Sequence, residues 1–398
     1  MSGTLGTHYD PFMQDPYPFY AQARREEPIT FSPHLNAWLV TRYEDVKNIF
    51  LQPDIFSSEN TLTGETHFYA ETPEEENHPP APVVINSDGA EHTLFREMVK
   101  NVFSPARAKA LEPFIGEVAN ALVDRFVDQR RAEMINLFAF PLALEVIHKV
   151  LGMPRGDIER TMGWFRNWFL VNRGSPSEES QAAYQQHTVV FQNYLLGLIA
   201  ERRGAPQDDL ISELVQGAKG FLTDLQLAHT LQGLVIPAYI NPANLIGNGL
   251  FLLLEDASRW QTLCDHPESI PQAVEEILRF ECPMRLWARI TTREVTLSGV
   301  TVPANALLLL SFGSAHRDET VFDHADEFQM QRDSNRHMAF GLGIHACVAP
   351  PLARIQARVA FEVLSHRLPH LRLIPGQILQ DAHVFNFRGY ERLELEWG

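Results

Sequence analysis

The chain has 398 residues, 45 % of them hydrophobic and 21 % charged, the balance of a large globular protein with a substantial core. Its net charge of −17, from 33 basic and 50 acidic side chains, argues against a general nucleic-acid binder, which carries a basic surplus. Cys264, Cys282 and Cys347 form no Cys-x-x-Cys pair, so neither a structural zinc site nor a disulfide framework is expected.

The N-terminal residues have no basic start and no apolar stretch, and the apolar runs at 250–254 and 306–310 are far too short to span a bilayer. No membrane association and a cytoplasmic location are expected. Residues 29–31 and 37–40 read as short strands around a turn, followed by a helix through Val46. From 61 to 86 the chain is rich in acid and proline without periodicity, which predicts a long loop of the kind that closes over a site. Amphipathic helix follows from 91 to 217, interrupted at Pro105, Pro154 and Gly174-Ser175-Pro176.

Residues 225–254 are largely apolar; as one helix they would run about 45 Å. A further helix is predicted over 271–280, with Pro271 in its first turn. Residues 295–310 read as two strands around Pro303, and 371–397 as strand-like. No linker or repeat divides the chain, so one body over residues 1–398 is expected, mainly α with small peripheral β-sheets.

Residues 337–354 read His-Met-Ala-Phe-Gly-Leu-Gly-Ile-His-Ala-Cys-Val-Ala-Pro-Pro-Leu-Ala-Arg. Cys347 follows a loop with two glycines, Gly341 and Gly343, that can bring backbone N–H groups close to the sulfur. A helix-like run comes next, and its dipole is expected to lower the thiol pKa. A thiolate placed in this way suits a soft metal centre. It is how a single-cysteine axial ligand for heme iron would be built.

On these residues the chain resembles the cytochrome P-450 heme-thiolate enzymes of the soluble bacterial type, over essentially its full length. The family's loop, Phe-Gly-x-Gly-x-His/Arg-x-Cys-x-Gly, matches at Phe340, Gly341, Gly343, His345 and Cys347, with Leu352-Ala353-Arg354 after it. Ala349 stands in place of the last glycine and is followed by Pro350-Pro351. Glu276 and Arg279 match the Glu-x-x-Arg helix, and Arg332 sits where the family completes that ion network. The resemblance implies a triangular helical prism around heme b, with Cys347 as iron ligand. It implies that His92, Arg96, Arg289, His337 and His345 contact the propionates, whose two carboxylates call for cations.

The implied activity is insertion of one oxygen atom from dioxygen into a small to medium organic substrate, in specialised metabolism. No Gly-x-Gly-x-x-Gly follows a strand, so electrons are expected from an external ferredoxin and ferredoxin reductase. Lys100, Arg107, Lys109, Arg354 and Arg358 would give the thiolate side a basic patch for such an acidic partner. Over the distal heme face the resemblance places Ile236, Pro237, Ile240, Arg285, Asn386 and Phe387, under a roof of Trp164, Phe165, Trp168 and Phe169. Arg285 would bind a substrate carboxylate or pair with a protein acid.

The long helix departs from the family. Where Ala-Gly-x-Glu/Asp-Thr is expected, it reads Pro237-Ala238-Tyr239-Ile240-Asn241, with Pro242 next. The acid–alcohol pair that delivers protons is replaced by Ile240 and Asn241. Each proline lacks an N–H, which should free the carbonyls of Gly233 and Ala238. Asn241 and the Ala238 carbonyl are therefore expected to position a water or a substrate hydroxyl. The same departure leaves open a heme-thiolate enzyme that uses peroxide, couples radicals or rearranges its substrate.

Overall fold

The computed structural model describes residues 5–59, 61, 84–171, 178–218, 221–381 and 385–398. Most of the predicted 61–86 loop lies outside the described residues, as do Gly174-Ser175-Pro176 and the side chains of Phe165, Trp168 and Phe169.

Helix dominates, and one helix, Asp224–Leu254, organises the rest. Its start is fixed by a capping box: the Gln226 N–H donates to Thr223 Oγ1 at 3.2 Å, and the Thr223 N–H donates to Gln226 Oε1 at 2.9 Å. It continues unbroken past Pro237 and Pro242 because tertiary packing surrounds it. From Leu227 to Leu254 every residue is buried except Pro237, Ala238, Asn241 and Phe251. Three of these four lie together mid-helix. Further along, Asn248 Nδ2 donates to the carbonyls of Glu281 and Arg388, both at 3.1 Å, and so ties the helix to the C-terminal segment.

Two helices flank the cysteine loop, Ile270–Phe280 before it and Pro350–Arg367 after it, and both pack on the central helix and on each other. As predicted, Pro271 lies in the first turn of the former. No helix among the described residues is long and apolar enough to cross a membrane.

The larger sheet has five strands. Its strands run in the order Ile29–Ser32, Ala37–Val40, Leu307–Ser311, Leu286–Thr291, Phe56–Ser57. The first two are the predicted strands at 29–31 and 37–40. The fourth, which carries Arg289, was not anticipated; it pairs antiparallel with Leu307–Ser311, placing Arg289 opposite Leu308.

Two sequence expectations need correction. Residues 295–310 hold three strands rather than two, because Val295–Leu297 and Val300–Val302 make a hairpin over Ser298-Gly299. Both turn residues have positive φ, 43° and 81°, the twist a two-residue hairpin turn requires. Among the described residues of 371–397, only Arg372–Leu373 and Glu394–Glu396 are strands, completed by Arg131–Glu133 into a second sheet.

Candidate active site

The cysteine loop is shaped by its main chain. Gly341 and Gly343 have φ of 67° and 71°, a region that side chains disfavour. A Cβ on Gly343 would also lie 2.7 Å from the Phe50 carbonyl oxygen. The Gly341 N–H donates to Met338 O at 2.8 Å and the Cys347 N–H to Phe340 O at 2.7 Å, folding the loop back on itself. Ala349 replaces the expected glycine without strain, since its φ is −117°. Its N–H donates to Cys347 Sγ at 3.4 Å.

Cys347 is exposed to a cavity of about 220 Å³ that it lines. Burial raises the thiol pKa; the N–H groups of Ala349 and Val348 and the cations Arg96 and Arg354 oppose it without prevailing. Desolvation of the thiolate outweighs the lowering expected from the helix start. A bound metal ion supplies the missing charge.

One rim of this cavity is cationic. Arg96 and His345 line it, and Arg96 Nη1 donates to the Ala346 carbonyl at 2.7 Å. The His92 ring lies 4.1 Å from that of His345. Arg289 is buried over the Phe50 ring and its Nη2 has no partner; nor do His92 Nε2 and His345 Nδ1. Burial lowers Arg289 to about 10, with Asp88 partly restoring it. Burial, then the positive charge of Arg289 and the neighbouring His92, push His345 down to about 4. Asp88, which sequence reasoning missed, anchors this rim. It accepts from His345 Nε2 at 3.1 Å, Ser57 Oγ at 2.5 Å and the Ser58 N–H at 3.0 Å.

His337 does not belong to the rim. Its Nε2 donates to Glu275 at 3.0 Å and its Nδ1 accepts the Ala339 N–H at 3.2 Å, so both ring nitrogens are committed to bracing the loop. Arg354 grips the same Glu275 at 2.6 and 2.8 Å. Burial alone would raise the Glu275 carboxyl, but these two partners hold it at about 2.

Glu276, Arg279 and Arg332 meet in one buried network. Arg279 is bidentate on Glu276 at 2.8 and 2.7 Å, and its remaining N–H groups donate to the carbonyls of His316, Ala325 and Glu327. Arg332 Nε reaches the same carboxylate at 3.1 Å, and Asn335 and the Gln329 N–H complete it. All five guanidinium donors of Arg279 are used, which limits the cost of burying its charge.

The central helix supplies the opposite wall. Gly233, Leu234, Pro237, Ala238, Asn241 and Leu245 line the cavity along one helical stripe. Ile236 and Ile240 were expected here, but both are buried on other faces, since a shift of one residue turns a side chain by about 100°. Asn241 Nδ2 donates back to the Pro237 carbonyl at 3.1 Å, and its Oδ1 is buried without a partner.

Arg285, Asn386 and Phe387 do not line the cavity either. Arg285 lies 3.6 Å from Asp381 and donates to the Phe385 carbonyl at 3.2 Å, so it pairs with a protein acid. Its backbone N–H bonds the Asn386 carbonyl, while Phe387 bridges to Met284. Met284, Trp287 and Phe312 take their place on the wall. Trp164 packs against Phe191, with ring centroids 4.8 Å apart.

The basic patch is also corrected. Lys100 pairs with Glu97, Arg107 with Glu213, Lys109 with Glu112, Arg354 with Glu275, and Arg358 with both Glu112 and Glu362. Each cation is matched by an acid.

A mainly helical body enclosing an apolar cavity, with a thiol at its wall and Arg96 and His345 at its rim, suits a macrocycle that carries a thiolate-ligated metal and acidic side groups. Comparison with known proteins agrees. The family model described as Cytochrome P450 matches residues 268–371. Cytochrome P450 107B1 of Saccharopolyspora erythraea is 33% identical, aligned over 98% of this chain and 96% of its own. Mycinamicin IV hydroxylase/epoxidase of Micromonospora griseorubida is 34% identical over 91% of this chain and 89% of its own. Among solved structures, P450BioI in complex with an acyl carrier protein ligated to hexadec-9Z-enoic acid superimposes with a TM-score of 0.88, at 30% identity, covering 97% of this chain and 99% of that one. The chain belongs to the cytochrome P450 family. It is a heme-thiolate monooxygenase, and its cofactor is heme b.

Proposed function

We propose that the chain, acting as one unit, inserts one atom of dioxygen into an apolar organic molecule of small to medium size. Cys347 would ligate the iron, Phe340 and Gly341 would pack against the porphyrin, and Arg96, Arg289, His92 and His345 would hold the propionates. One observation carries the reading: Cys347, Arg96 and His345 line one otherwise apolar cavity, and His92 packs behind His345 with ring centroids 4.1 Å apart. When bound, heme supplies dioxygen chemistry, favoured by electron density from a thiolate ligand.

The remaining work belongs to the chain. The aromatic and aliphatic wall excludes water from the substrate. Asn241 and the Ala238 carbonyl hold a water or a substrate hydroxyl as the proton source, since an amide orients a donor but does not relay a proton as an alcohol does. A ferredoxin and its reductase supply electrons, in keeping with the family's need for redox partners. The relative named as a mycinamicin IV hydroxylase/epoxidase supports oxygenation of an organic substrate.

Product analysis with a surrogate ferredoxin system tests this. Oxygenated product that depends on NADPH and dioxygen is expected. A second reading, turnover driven by peroxide, is favoured by the missing acid–alcohol pair at Ile240-Asn241. Product formed with hydrogen peroxide alone, and none with the reductase system, would select it.

A further inference from the structure

The polar groups that the central helix turns toward the cavity are mostly acceptors. Gly233, Ala238 and Asn241 all line it. Pro237 and Pro242 carry no N–H, so the Gly233 and Ala238 carbonyls lose the helix donor four residues on. Asn241 has one amide N–H committed to the Pro237 carbonyl, which fixes the amide's orientation, and its Oδ1 has no donor. Beside them the wall is apolar, with Leu234, Leu245 and Phe103. A family motif that ends in an alcohol would both donate and accept here. This chain offers acceptors and a single remaining amide N–H.

We propose that the Ala238 carbonyl and Asn241 Oδ1 form an acceptor subsite that selects an apolar substrate carrying a hydroxyl group. The proposal rests on the monooxygenase reading and names its substrate class. The hydroxyl has one proton to give, forked between Asn241 Oδ1, which has no partner, and the Ala238 carbonyl, whose donor four residues on is removed by Pro242. The Gly233 carbonyl, about 7.5 Å further along the helix axis, offers a place for a second donor on a longer substrate.

The test uses heme-loaded enzyme, first checked for the thiolate-type carbon monoxide difference band. Substrate-binding spectra are then titrated with 1-decanol and cyclododecanol, each beside its methyl ether, which keeps the oxygen but loses the donor. The parent is expected to bind the alcohols about tenfold more tightly than the ethers. Pro242→Ala restores an N–H to the Ala238 carbonyl, and Asn241→Leu removes Oδ1. Each should reduce the preference to about twofold or less with the carbon monoxide band intact. Equal affinity for alcohol and ether in the parent, no saturable shift with either alcohol, or an unchanged preference in both variants overturns the subsite. Loss of the carbon monoxide band in the parent overturns the monooxygenase reading instead.

Discussion

Cys347 looks like any single cysteine until its neighbours are considered. Gly343 is confined by φ and by the Phe50 carbonyl, and Ala349 donates to the sulfur, so the loop serves one atom. Cys347→Ser should abolish the thiolate-type carbon monoxide band, whereas Cys264→Ser should leave it. Asn241→Ala should lower product formed per NADPH consumed by roughly an order of magnitude; unchanged coupling would remove Asn241 from proton delivery. Glu275 sets a pH dependence. Its folded pKa of about 2 lies below the ordinary 4.5, so its contribution to stability is full above that value and fades as pH falls toward 2. The Tm difference between parent and Glu275→Gln should therefore shrink progressively below pH 4.5. Sequence motifs located Cys347, Arg96, Arg289 and His345 near one another in space. They misplaced His337, because which partner a histidine takes depends on Glu275, distant in sequence.

At the scale of elements, the central helix and the Glu276–Arg279 helix were legible because period and motif coincide there. The 286–291 strand and the Ser298-Gly299 hairpin were not. The strand is buried within a sheet whose partners come from both ends of the chain, and a short hairpin carries too few residues to show alternation. Ile236 and Ile240 were misassigned because alignment to a motif gives position along a helix, whereas the face is set by the 3.6-residue period. Arg279→Leu strands the Glu276 carboxylate in the core and should cost about 3–5 kcal/mol in denaturant unfolding. Arg279→Lys should recover only part of it, since three ammonium donors cannot replace a five-donor fork.

Over the whole molecule, the overall fold class was readable from composition, apolar periodicity and motif order. Long-range pairings were not: Asp88 bonds Ser57, 31 residues before it, and His345, 257 residues after it, and no local pattern announces that. The surface charge was misread for a related reason. Counting Lys100, Arg107, Lys109, Arg354 and Arg358 gave a basic patch, while their acidic partners are brought in by folding. Reduction by a ferredoxin should accordingly vary little with ionic strength, by less than about threefold between low and high salt. A steep decline in stopped-flow rate with added salt would show that an unpaired field guides the encounter.

The two prolines after Ala349 bear on the energy of the electron that the iron accepts. Helix starts usually crowd N–H groups around a nearby anion, but here the supply stops at Ala349, because positions 350 and 351 have none. A sulfur less drained by donors keeps its charge and disfavours the ferrous state. Pro350→Ala should therefore move the midpoint potential in the positive direction.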